Sequence, residues 1–336
     1  MVAEHARGCP PMQARVMGPP MAKGDRMKLR VAVLGAGHFG RFHALKAASG
    51  PRTELVAIHD ADPARAAAIS AEAGAPATGL AEAIAAAEAV IVAAPTRFHF
   101  PLGQAVLAAG RHLFMEKPIA ATLAEADSLA ALAAAKGRVL QVGHIERFSA
   151  AFRAVVAAPG REAALSWEAV RAAPFRPRSL DVSVVLDLMI HDIDLVLTLA
   201  GEEPVAVEAV GARVVSEHPD FAVARLRFPS GRAAVITASR VSLAMERRLR
   251  VLGREGEMAV DFLGRSLSVL RRGGAEPVAT MPGFGIDRSG WTDHDSLEAE
   301  QAGFAAACLD GVAPVVDAAA GRRALAAALA VEAAIG

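Results

Sequence analysis

Three short groups of residues in this chain carry side chains suited to chemistry. Glu116-Lys117-Pro118 closes an apolar run, Arg111 to Met115, and sets an ammonium group where proline restrains the backbone behind it. Asp187 and His191 are four residues apart in an apolar stretch, so on a helix they share a face about one turn apart. Gly35-Ala36-Gly37-His38-Phe39-Gly40 is a glycine fingerprint, and an acid, Asp60, stands 20 residues beyond its last glycine. A lysine and a histidine together suit removal of a hydroxyl proton. Imidazole is a base near neutral pH, and positive charge lowers the cost of a developing alkoxide. On residue type alone, either side chain could take the proton.

Each group has a plainer reading. A glycine-rich turn need hold nothing, but this one follows a strand pattern and opens a helix pattern, as dinucleotide binding requires. Gly35 then permits the tight turn, Gly37 lets the backbone approach a pyrophosphate, and Gly40 lets helix and strand pack closely. The pyrophosphate would rest on the helix N-terminus at His38 and Phe39. Asp60 suits the adenosine ribose hydroxyls and, with Asp62, opposes a 2′-phosphate, which favours NAD over NADP unless Arg65 swings in. A histidine among apolar residues is by default a core histidine. Asp187, Asp192 and Asp194 shift His191 toward a base whose tautomer a carboxylate fixes. The same residues could offer nitrogen and oxygen to a metal. No second histidine follows at i+4, however, and no metal is expected. Arg147, Arg176, Arg178 and Arg240 could clamp a substrate pyrophosphate through bidentate guanidinium contacts.

The elements that must hold these groups follow from periodicity. Apolar runs at Leu29 to Leu34, Leu55 to Ile58, Ala89 to Ala94, His112 to Met115 and Val139 to Val142 read as strands buried on both faces. Helical stretches lie between them: from the fingerprint to Ser49, then Pro63 to Ala73, Leu102 to Ala109 and Leu123 to Lys136. Such alternation implies a doubly wound parallel sheet. After Phe148 seven strand patterns, beginning at Leu165, Val205, Phe221, Ala233, Arg247, Met258 and Ser266, follow with few crossover helices. They predict a mostly antiparallel open sheet. Helices at Ser183 to Leu199, Asp293 to Leu309 and Gly321 onward would cover one face and leave the other for a second subunit. The fold class is therefore α/β plus α+β: a Rossmann domain over 27–146, then a substrate and oligomerisation domain over 147–336. Residues 1–26, with two Pro-Pro pairs and no apolar core, read as a disordered tail or a mis-assigned start, with Met27 the first true residue.

Composition narrows the class. The 336 residues are 53% hydrophobic but only 4% aromatic, with no tyrosine and a net charge of zero. No basic stripe argues for nucleic acid or an anionic membrane. Two cysteines, Cys9 and Cys308, are too few for a disulfide framework and suit the cytoplasm. Glu88 interrupts the most apolar stretch, so no membrane span is expected.

Together the motifs resemble the Gfo/Idh/MocA family of sugar and polyol oxidoreductases, from about Leu29 to the C-terminus. The resemblance implies that Lys117 contacts the reacting hydroxyl, His191 is the base, and Asp187 binds substrate and orients both. It implies that Pro95, Thr96 and His99 line the nicotinamide ribose, that Glu116 also serves the cofactor, and that Lys117-Pro118 is cis. Arg147 and Arg240 are expected at the substrate. Val142 to Phe148 is similar to the branch that oxidises the 3-hydroxyl of UDP-N-acetylglucosamine. An inositol, polyol or free-sugar dehydrogenase of the same family is the alternative substrate reading. A non-catalytic dinucleotide-sensing regulator is the alternative class, and it could dispense with Lys117 and His191. A homodimer or homotetramer through the C-terminal sheet is expected.

Overall fold

A computed structural model describes residues 28–177, 180–292 and 294–336. The expectations for residues 1–27 and for Arg178 lie outside them.

The first half forms a five-stranded parallel sheet in the order β2-β1-β3-β4-β5. Its strands are β1 (Leu29–Leu34), β2 (Thr53–His59), β3 (Ala89–Val92), β4 (His112–Glu116) and β5 (Leu140–Gly143). Helices α1 (His38–Ser49), α2 (Pro63–Ala73), α3 (Leu80–Ala86), α4 (His99–Ala108) and α5 (Leu123–Lys136) connect them. The strand order reverses between β1 and β3. A crevice at the carboxyl ends of the strands opens there, where an open α/β sheet binds its ligand. Two helices end where their chemistry dictates. Asp62 caps α2 ahead of Pro63, and Gly74 stops it in a left-handed conformation. Thr122 and Glu125 form a capping box on α5, which Gly137 ends in the same way.

The chain then forms α6 (Ala150–Ala157), β6 (Ala164–Ala172), a π-turn at Val185–Met189, and α7 (Ile190–Ala200). Next come β7 (Ala206–Ala212), β8 (Phe221–Arg227), β9 (Ala233–Ser239), β10 (Glu246–Gly253), β11 (Gly256–Asp261) and β12 (Ser266–Arg272). β13 (Glu276–Pro277) and β14 (Phe284–Gly290) complete a nine-stranded sheet ordered β13-β14-β12-β11-β10-β6-β9-β8-β7. Every pairing is antiparallel except that of β6 with β9. α7 buries Ile190, Ile193 and Val196 against one face of this sheet, and the last helix adds Ala324, Ala328 and Val331. The opposite face exposes Val210 and Val235 among ion pairs such as Arg225–Glu208 and Arg250–Glu168.

The last two helices, α8 (Ser296–Asp310) and α9 (Ala318–Ile335), return to the first sheet. Phe304 of α8 joins the core beneath β1, and Val316, Ala320 and Leu325 join the core on the other side. The backbone N–H of Val142 donates to Val316 O at 2.9 Å. The expected break at residue 146 therefore separates the two sheets but not the helices that cover them.

Candidate functional site

The glycine turn is shaped by contact. Gly35 has φ +99°, and a Cβ there would lie 2.5 Å from Ala93 O. A Cβ at Gly40 would lie 1.8 Å from Gly35 O, so α1 abuts the end of β1 closely. A Cβ at Gly37 would meet nothing within 4 Å; its open side faces the crevice. No side chain caps α1, so the N–H groups of its first turn, at His38 and Phe39, are left for an anion.

The crevice holds about 600 Å³ beside Gly35, Gly37, Asp60 and Pro95. Asp60 Oδ2 accepts the Ala36 N–H at 2.7 Å, while Oδ1 accepts the Asp62 N–H at 2.8 Å. Arg65 lies against both acids, its Nη2 3.2 Å from Asp60 Oδ1 and its Nε 3.3 Å from Asp62 Oδ2, so the carboxylates that oppose a 2′-phosphate hold it. A second cavity of about 320 Å³ continues past Gly37, His38, Phe39, Thr96 and Glu116 to Lys117 and Asp187. A third, of about 330 Å³, runs from Phe39, Lys117 and Asp187 to His191 and beyond. Gly37 and Pro95 border the first two cavities and Phe39, Lys117 and Asp187 the last two, so the three adjoin as one trough.

At the junction, Lys117 Nζ donates to Asp187 O at 2.5 Å and to Asp187 Oδ1 at 3.3 Å. The Lys117-Pro118 bond is cis. The π-turn carries Asp187, and the first turn of α7 carries His191, so both reach the same cavity. His191 Nδ1 is buried and without a hydrogen-bond partner. Burial, then the cations Lys117 and Arg171 and the imidazole of His144, hold its pKa well below the usual histidine range. Burial and these neighbours thus favour its neutral form.

Five expectations need correction. The acids around His191 do not orient it, because each is engaged elsewhere. Asp192 takes a bidentate pair from Arg171 and Asp194 one from Arg147, while Asp187 turns to Lys117. Arg147 is thus held by Asp194, at 2.6 and 2.7 Å, rather than set in the substrate cavity. Arg240 borders a side recess but anchors the chain around it, donating to Asp220 Oδ1, Ser216 Oγ and Val182 O. His99 is a strut. It is fully buried, with Nδ1 2.7 Å from Pro118 O and Nε2 2.8 Å from Ala94 O, and so braces the loops that Thr96 and Lys117 occupy. Glu116 reaches the second cavity, yet its oxygens are taken by His43 Nε2 and the Lys117 N–H.

Residues the motifs did not mark also line the substrate cavity: Arg171, Arg247, Arg265, Trp291 and His294. Arg171 and Arg247 continue into the side recess with Arg176. On β6 and β10 these arginines look like ordinary strand charges, and only the pairing of the two strands brings them together. Among the described residues no group of three or more His, Cys, Asp or Glu is arranged to hold a metal ion.

A crevice shaped for a dinucleotide, opening onto a lysine and a histidine whose neutral form is favoured, defines a nicotinamide-dependent oxidoreductase. Residues 29–144 match the model of an oxidoreductase family with an NAD-binding Rossmann fold, and 141–259 that of the GFO/IDH/MocA C-terminal domain. The chain belongs to the GFO/IDH/MocA family. UDP-N-acetylglucosamine 3-dehydrogenase of Acidithiobacillus ferrooxidans is 39% identical over 91% of this chain and 97% of its own. Its crystal structure superposes with a TM-score of 0.87 over 92% of this chain and 98% of that one, at 38% identity. Inositol 2-dehydrogenase of Rhizobium meliloti is 30% identical over 70% of this chain and 76% of its own. GenD2 from gentamicin A biosynthesis, solved with NAD, is 25% identical, with a TM-score of 0.79 over 94% of this chain and 96% of that one. The chain is an NAD-dependent dehydrogenase. Gly35, Gly37, Asp60 and the first turn of α1 offer the contacts that NAD needs.

Proposed function

We propose that this enzyme oxidises a secondary hydroxyl of a nucleotide sugar, and that the 3-hydroxyl of UDP-N-acetylglucosamine, giving the 3-keto sugar, is the best-supported case. The convergence of Lys117, Asp187 and His191 where the second and third cavities of the trough meet carries the reading. Bound NAD supplies the hydride acceptor. His191 takes the hydroxyl proton. Lys117 gives two hydrogens to Asp187, and an ammonium has a third for the substrate oxygen, where it steadies negative charge as the proton leaves. Asp187 fixes Lys117 and reaches the substrate. Arg247 and Arg265 line the same cavity, and guanidinium groups there suit a diphosphate beyond the sugar.

The similarity to an inositol 2-dehydrogenase supports a second reading, a polyol as substrate. Purified enzyme with NAD and a panel of UDP-sugars, inositols and free hexoses separates the two by absorbance of the reduced nicotinamide. UDP-N-acetylglucosamine should turn over. Turnover of inositol with none of any UDP-sugar would overturn the first reading. The proposal places the enzyme in the cytoplasm as a homo-oligomer paired through the open face of the nine-stranded sheet. No helix among the described residues is long and apolar enough to cross a membrane.

A further inference from the structure

Behind Lys117 lies a buried polar assembly that takes no part in the hydroxyl chemistry above. His43, on α1, is fully buried, and its Nε2 lies 2.7 Å from Glu116 Oε1. Gln301, on α8, sets its Nε2 3.0 Å from both His43 Nδ1 and His43 O. A carbonyl oxygen only accepts, so this atom of Gln301 is the NH2 group, and its second hydrogen goes to Nδ1. The imidazole proton therefore sits on Nε2 and is donated to Glu116. The other Glu116 oxygen accepts the Lys117 N–H at 3.1 Å. Phe114 packs edge-on against the His43 ring at 5.1 Å and against Phe304 at 5.6 Å, which leaves the ring little freedom.

We propose that His43 and Gln301 are positioning residues for Lys117, tying the cofactor-binding helix α1 to the catalytic lysine through Glu116. The proposal rests on the reading of Lys117 as catalytic. α1 begins at the crevice where the pyrophosphate would rest, so the chain Gln301–His43–Glu116–Lys117 relates cofactor and lysine through the buried side chains of Gln301 and His43 and through Glu116 at the cavity wall. Glu300, next to Gln301, fits the same purpose. It is fully buried, and neither carboxyl oxygen has a partner. Burial, then the charge of Glu116, raises its pKa well above the usual glutamate range. Burial thus favours the uncharged form of Glu300 and leaves Glu116 as the carboxylate behind Lys117. Burial opposes that charge, but the hydrogen bond from His43 and the nearby Lys117 hold the Glu116 pKa below its usual range. The ionisable groups facing Glu116 are His43 from α1, Glu300 from α8, His99 from α4, His144 after β5, and Lys117 beside it.

The test compares His43→Phe, His43→Gln and Gln301→Met with Lys117→Ala in the full chain. NAD is the oxidant, with UDP-N-acetylglucosamine as substrate, or myo-inositol if only that turns over. Phenylalanine keeps the ring packing but donates nothing to Glu116, whereas glutamine can donate from about the same place. His43→Phe should lower kcat by roughly 10- to 100-fold, since about 1 Å of misplacement costs on the order of 10²-fold. It should also move the acid limb of kcat/KM to higher pH, because Glu116 without its donor protonates more readily. The KM for NAD should stay within about threefold, as expected when a transition-state contact alone is lost. His43→Gln should recover most of the loss. Gln301→Met should shift both readouts the same way, and it decides the matter if His43→Phe does not fold. An unchanged kcat, or a lower kcat with an unmoved limb, overturns the proposal when Lys117→Ala is inactive. Wild-type turnover by Lys117→Ala would instead remove the reading of the lysine itself.

Discussion

The proposed division of proton removal between Lys117 and His191 follows from their surroundings. One donates to Asp187, and burial and neighbouring cations favour the neutral form of the other. Lys117→Ala and His191→Ala should each lower kcat by roughly 10²-fold or more, the range for general acid–base groups. Their affinity for NAD should stay within about threefold, since only the transition state loses a contact. Steady-state rates with a cofactor titration check this, and unchanged turnover in both variants would refute the assignment. Glu300 supplies a stability prediction. Its pKa is higher folded than unfolded, so the stability tied to its protonated form is complete below the ordinary glutamate pKa and is lost as pH rises through the folded value. Glu300→Gln keeps an uncharged side chain of the same shape. It should flatten the decline in melting temperature from mildly acidic pH upward; a slope equal to wild type would show that Glu300 does not titrate there.

At the scale of elements, the glycine turn joins sheet to cofactor. Gly40→Ala puts a methyl into the Gly35 carbonyl oxygen, so α1 must move away from β1. We expect a loss of about 1–3 kcal/mol in stability from overpacking. NAD affinity should also fall measurably by titration, and wild-type values for both would refute this account of the turn. Much of this scale was legible beforehand. α2 and α5 span Pro63–Ala73 and Leu123–Lys136 as the helical patterns predict, and the caps at Asp62, Gly74, Thr122 and Gly137 fix those ends by local chemistry. What escaped is short or broken in pattern. α3 spans seven residues and α6 eight, too few for a clear period even though Ser149 caps α6, and β14, flanked by the two-residue β13, carries two glycines and charged residues. The π-turn that carries Asp187 looks like ordinary helix in sequence. His99 is the sharper lesson. A histidine beside a cofactor segment reads as a ligand, and only the fold reveals carbonyls at both ring nitrogens.

At the scale of the whole molecule, the outer face of the nine-stranded sheet pairs exposed Val210 and Val235 with ion pairs that close on the same surface. If copies of the chain join there, Val210→Glu with Val235→Glu should give monomers by light scattering while the melting temperature holds. An unchanged mass for a wild-type oligomer would place its interface elsewhere. The return of α8 and α9 to the first sheet bears on how such a protein can be rebuilt. The nucleotide-binding half is not one contiguous piece of gene: its core takes Phe304 and Val316 from the far end of the chain, and its positioning network takes Gln301. A hybrid that swaps only the first 146 residues inherits a mismatched lining, whereas exchanging the C-terminal helices as well keeps that core intact. Recombination between relatives should therefore succeed with two crossover points and fail with one.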